Sequence, residues 1–137
     1  MKEQALDLMS KQSYCVISTV SPENKSESAV VAFSQNDKFE VVIGTSKESR
    51  KFKNIQNNPN VSIVFGPQDK KAVQYEGIAR ELEGDKLAEY KAQHFQKQPG
   101  SEKYEADPTQ TYIIVTPTWI RLVESGPFIV GEETRFD

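Results

Sequence analysis

The 137-residue chain has one cysteine, one histidine and one tryptophan, and each scarcity closes off some chemistry. The lone Cys15 allows no internal disulfide and points to a reducing compartment. The lone His94 leaves no histidine pair and no HExxH, and there is no CxxC, so a transition-metal site is not expected. There is no GxSxG elbow, no Walker loop and no GxGxxG fingerprint. No apolar run approaches the roughly 20 residues of a membrane-spanning helix, and residues 1–13 are too polar and mixed in charge for a signal peptide. Basic excess is missing too: the net charge is −3, which argues against general nucleic-acid binding. The expectation is a soluble, cytoplasmic protein with neither nucleic acid nor membrane as a partner. Any redox or group-transfer chemistry is expected to come from a bound cofactor.

What is present suits one domain spanning residues 1–137. Hydrophobic residues make up 36% of the chain, enough for a modest core that a second subunit could extend. The charge is uneven. Residues 38–71 hold seven Lys/Arg against three Asp/Glu, a local +4 that leaves −7 for the remainder. A local cationic site is therefore expected, not a broad basic face.

Residues 2–12 carry Ala5, Leu6 and Met9 at helical spacing. Residues 14–20 and 27–34 read as strands, the first with Cys15 as a small core residue. Asn36-Asp37 turns the chain into a third strand, 38–45, completing an expected antiparallel meander. A short helix with Phe52 and Ile55 on one face runs to Asn58-Pro59, and a strand follows at 60–65. Gly66-Pro67-Gln68-Asp69 is a predicted turn. Alternation over 70–83 favours a strand, with Gly77 marking a bulge or a close backbone approach. Residues 84–97 read as a helix that exposes His94, and 98–110 as a loop. Two apolar segments, 111–115 and 118–123, flank Pro117, which is expected to bend or bulge the chain. The tail 125–137 reads as a short strand or an arm on a neighbour. The sum predicts a mainly β, α+β protein: a small antiparallel barrel with helices at its rim.

The stretch Gly44 to Val64 carries the clearest functional signal. A strand ends at Gly44-Thr45, small hydroxyl residues Thr45, Ser46 and Ser49 follow, and then the basic pair Arg50-Lys51 opens the short helix. Helix N-termini have free N–H groups and partial positive charge, so they favour anions. Ser49 suits the cap position. Arg50 can grip a phosphate through two hydrogen bonds, and Lys51 adds a point charge. The same residues could instead form a capped surface helix with solvated cations.

These residues, with their neighbours, resemble the pyridoxamine 5′-phosphate oxidase-like family of FMN-binding split barrels. The resemblance rests on Ser49-Arg50-Lys51 after Gly44-Thr45, on Asn57-Asn58-Pro59-Asn60-Val61-Ser62, on Glu76-Gly77-Ile78-Ala79-Arg80 and on Trp119-Ile120-Arg121-Leu122. It spans residues 5–124 and is nearest the short, general-stress-protein branch. It implies a six-stranded antiparallel split barrel, a homodimer, and FMN in grooves at the dimer interface. It implies that Arg50 and Lys51 hold the FMN phosphate beside Ser49, Ser46 and Thr45. The strand Ala29, Val30, Val31 and Ala32 would offer its backbone to the flavin ring, and Trp119 would approach from the later strands. The implied activity is that of an oxidoreductase on a small molecule, and no catalytic residue is nominated. A non-catalytic flavin-binding stress protein, a deazaflavin or haem binder (with His94 or Cys15 as ligand) and a ligand-free dimer stay open.

The chain also departs from the oxidase. The arginine that opens the oxidase's flavin strand falls here near Ser28-Ala29. A flavin-facing glutamine aligns with Ala72, with Gln74 two residues on. The oxidase's C-terminal Arg-x-His pair has no counterpart, since no histidine follows His94.

Overall fold

Alternation of apolar and polar residues, the mark of a strand with one buried face, recurs along most of the chain and sets its architecture. A computed structural model describes residues 1–124 and 130–137. In chain order it contains α1 (Lys2–Ser10), β1 (Tyr14–Val20), β2 (Ser26–Ala32), β3 (Ser34–Gln35), β4 (Val41–Ser46), α2 (Arg50–Asn57), β5 (Asn60–Gln68), β6 (Lys71–Glu81), α3 (Leu87–Lys97), β7 (Gln110–Glu124) and β8 (Val130–Arg135). The sheet runs β2-β1-β5-β6-β7-β4-β3, with β8 added on β7. All described pairings are antiparallel. Strands β1, β2 and β4 to β7 fall where strands were expected, β8 falls in the tail read as a short strand or an arm, and the two-residue β3 is an addition.

Three details differ from the sequence reading. The third strand does not complete a meander: β4 pairs with β7 and with the stub β3, while β2 approaches it without backbone pairing. That gap is the split of the barrel. The turn expected at Gly66–Asp69 falls later, because β5 continues to Gln68 and the chain reverses at Asp69-Lys70, both at positive φ. The segments either side of Pro117 form one 15-residue strand, β7. Pro117 sits opposite Gly77 at a register shift, the kind of site at which a strand tolerates proline. A Cβ on Gly77 would lie 2.6 Å from the Thr116 carbonyl oxygen, so the glycine permits a close backbone approach. Of the tail, residues 125–129 lie outside the described residues.

The barrel interior holds Ile17 of β1, Ile43 of β4, Ile63 and Phe65 of β5, Tyr75 of β6 and Ile113 of β7. Helix α1 adds Ala5, Leu8 and Met9 to this core. Helix α3 covers the outer face of β4 and β7, where Leu87, Tyr90 and Phe95 pack on Val42, Tyr112 and Ile114. Among the described residues nothing covers the outer face of β2, β1 and β5 in this way. There Val16 stands opposite Val30 on one side and Val64 on the other. Val30 is 71% exposed, Tyr14 63%, and Val16 and Val64 are exposed beside them.

Candidate functional site

The split between β2 and β4 is flanked by two recesses, and most of the nominated residues line one or the other. The first, of about 100 Å3, is lined by Ile17, Thr19, Glu27, Ser28, Ala29, Arg50 and Lys51. Period-2 geometry places Glu27 and Ala29 of β2 on one face, and α2 brings Arg50 and Lys51 over it. Ser49 caps α2 as expected, its hydroxyl accepting from the Phe52 N–H at 3.3 Å. The first N–H groups of α2 have no intrahelical acceptor, and they open beside the same recess.

The two cations differ. The Lys51 ammonium donates to Thr45 Oγ1 at 3.3 Å, and Thr45 and Ser49 share a hydroxyl hydrogen bond of 3.0 Å. Lys51 is half-buried, and desolvation lowers its pKa below the ordinary lysine value. Among the described residues it has no carboxylate partner. Arg50 reaches out, its side chain 74% exposed, and pairs with Glu27 at 3.2 Å. Neither Glu27 nor Asn54 was singled out in the sequence. Asn54, buried on α2, donates to Glu27 Oε1 at 2.8 Å and to Thr19 Oγ1 at 2.9 Å. Glu27 was legible in principle, since it lies two residues before Ala29 and therefore on the same face.

The second recess, of about 200 Å3, is lined by Ala32, Gly44, Thr45, Ser46, His94, Ser101, Tyr104, Gln110 and Tyr112. Ser46 Oγ shares a hydrogen bond with Thr109 Oγ1 at 2.8 Å and accepts the Glu48 N–H at 3.0 Å. His94 is not the exposed helix residue expected: it is 3% exposed, with Nδ1 3.3 Å from Ser34 Oγ and its ring against Tyr112. Desolvation lowers its pKa, so the imidazole is neutral at pH 7. Burial pushes the Tyr112 phenol up to about 12. Among the described residues, Tyr112 Oη and Ser101 Oγ are buried and meet no hydrogen-bond partner. No lysine or arginine lines this recess.

Three nominated residues stand apart. The Val31 side chain is in the core and that of Val30 is on the outer face, so only their backbone is available at the split. Trp119 of β7 lines neither recess; its indole N–H donates to Glu133 Oε2 at 3.3 Å. Cys15 is buried as expected, and desolvation pushes its thiol up to about 12. Among the described residues no group of three or more His, Cys, Asp or Glu could hold a metal ion, and no helix is long and apolar enough to cross a membrane.

Comparison with solved structures places this fold among known ones. The chain superposes on a heme binding protein from Mycobacterium smegmatis with a TM-score of 0.84 at 18% identity, covering 96% of this chain and 57% of that one. It therefore spans little more than half of that protein. General Stress Protein 26 from Bacillus anthracis matches at 26% identity and a TM-score of 0.74, over 98% of both chains. HutZ, the heme storage protein from Vibrio cholerae, matches at 17% identity and a TM-score of 0.72, over 93% of this chain and 92% of that one. A search of curated proteins finds no significant match. The family model for pyridoxamine 5′-phosphate oxidase matches residues 1–124, and the chain belongs to that family.

Proposed function

We propose that this protein is an FMN-binding flavoprotein, an oxidoreductase acting on a small substrate, with the cofactor held at the split. The observation that carries the reading is the half-buried Lys51 ammonium, whose partner among the described residues is the Thr45 hydroxyl and which stands beside Arg50 and the start of α2. A phosphate there would restore what burial takes from the lysine. Arg50, Lys51 and the cap region around Ser49, Thr45 and Ser46 would hold the phosphate. The Ala29–Ala32 backbone, on a strand edge that β4 leaves unpaired, would face the flavin ring. The flavin supplies the hydride and electron chemistry when bound. The protein's task is to orient it and to shield it from water. The second recess, polar but without a cation, suits a neutral polar substrate and not a phosphorylated one.

A homodimer belongs to the proposal. Recesses of about 100 and 200 Å3 fall short of the roughly 300–1,000 Å3 of ligand pockets, so one chain supplies part of a site. The uncovered valine row on β2, β1 and β5 is the surface a second copy would cover. Trp119 would then reach the cofactor from the partner subunit.

Purified protein is expected to be yellow, or to take up FMN with a shift in its visible spectrum. Replacing Arg50 and Lys51 together by alanine is expected to cost several kcal/mol of FMN binding, at roughly 1.5–3 kcal/mol per charged hydrogen bond. Equal affinity in that variant would refute the phosphate assignment. Tight FMN binding without turnover of NADH or NADPH would favour a carrier, and preference for a deazaflavin would replace the cofactor. Haem, named in two of the structural neighbours, finds less support in this chain. Cys15 and His94, the two candidate axial ligands, are both buried, and the His94 Nδ1 is already engaged by Ser34 Oγ at 3.3 Å. A Soret shift on haem titration would reverse that ranking.

A further inference from the structure

We infer that Glu27 sets the charge preference of the anion recess by acting as a resident competitor for Arg50. The inference rests on the phosphate reading above. In the free protein the Arg50 guanidinium is already committed to Glu27 Oε2 at 3.2 Å. The other carboxylate oxygen accepts from Asn54 at 2.8 Å. Asn54 is buried and held in turn by Thr19, which is buried as well. The Glu27 side chain is only 20% exposed. The carboxylate is therefore fixed from beneath, and it stays when Arg50 turns toward a ligand.

The consequence follows from charge. Glu27, Arg50 and Lys51 line one recess, giving it a net +1. A phosphate monoester carries roughly −1.5 to −2 at pH 7. An incoming phosphate must take Arg50 from Glu27 and then sit beside a carboxylate. Like charges placed together in this way are a common device for rejecting a ligand. The pair of cations alone would hold a phosphate dianion firmly; with Glu27 present the hold is moderated. The tail is retained and the cofactor can be exchanged. A ligand without the phosphate does not encounter Glu27's repulsion.

The test is Glu27→Gln, which keeps an acceptor for Asn54 and removes the charge. Dissociation constants for FMN and for riboflavin are measured on the wild-type protein and on the variant by flavin fluorescence. The expected result is FMN affinity raised about tenfold or more, with riboflavin affinity unchanged. Glu27→Ala, measured in parallel, is expected to show the same FMN gain. If wild type binds FMN and neither variant gains more than twofold, the inference is overturned while the FMN reading stands. If both flavins gain equally, Glu27 acts on structure and not on charge, and the inference fails. If FMN binds none of the three proteins, the FMN reading and the inference fall together.

Discussion

At the scale of single residues, Lys51 and His94 each make the protein's behaviour depend on pH. Lys51 titrates below the ordinary lysine value because burial disfavours its charge. A bound phosphate needs the ammonium form, so FMN affinity is expected to fall as pH rises through that depressed pKa. In Lys51→Met the decline should vanish. A wild-type affinity that is flat up to the ordinary lysine range would contradict the assignment. His94 shifts in the same direction, below 6.5, again through burial. Between its depressed pKa and 6.5 the unfolded chain binds a proton that the folded chain refuses. The stability that the neutral imidazole contributes is therefore complete above 6.5 and is lost as pH falls below it. Melting temperature should drop from about pH 7 to about pH 5, and His94→Gln should flatten that slope. Identical slopes in the two proteins would argue against the buried, neutral imidazole.

The residue scale is also where sequence reading reached least far. The cap at Ser49 and the cationic start of α2 were legible, because capping and basic pairing are local. The burial of His94 was not. Its neighbours Gln93, Gln96 and Lys97 look solvated, and only the docking of α3 on the outer face of β4 and β7 brings the ring against Tyr112 and Ser34. Glu27 was overlooked for a similar reason. Its meaning comes from α2 crossing above it, a contact 23 residues away in sequence.

At the scale of elements, strands declared themselves through alternation, and the errors lie where pairing partners had to be guessed. A hairpin is the cheapest expectation for consecutive strands, yet β4 crosses to β7 and leaves β2 with a free edge. Pro117 looked like a break, but β7 continues through it because Gly77 stands opposite and the register shifts there. Gly77 is accordingly a stringent position. An alanine Cβ would meet the Thr116 carbonyl at 2.6 Å and a Val115 methyl at 2.7 Å, neither of which can swing aside. Gly77→Ala is expected to destabilise the protein by about 1–3 kcal/mol in urea unfolding. A neutral effect would mean that the β6–β7 ladder relaxes at the bulge.

For the whole molecule, one outer face is finished by α3 and the other presents a row of valines to solvent. Fully covering a valine side chain contributes roughly 1.5–3 kcal/mol, so leaving Val16, Val30 and Val64 bare is a cost that a second copy would remove. Val30→Glu should leave the fold intact, since the position is exposed. It should convert the proposed dimer to a monomer by light scattering, and FMN binding should weaken with it. A dimer that survives this change would place the interface elsewhere. The family and the barrel were legible in the sequence through residues 44–64 and 76–80. Association is implied by the resemblance alone, because no single-chain pattern announces which sheet face stays uncovered.

The central claim is that the cationic start of α2 recognises the phosphate of a flavin nucleotide. It is tested most directly by the ratio of the riboflavin to the FMN dissociation constant in the wild-type protein, measured by flavin fluorescence quenching. Two charge-assisted contacts at roughly 1.5–3 kcal/mol each, moderated by Glu27, predict that FMN binds about a hundredfold more tightly. A ratio near one would contradict the account.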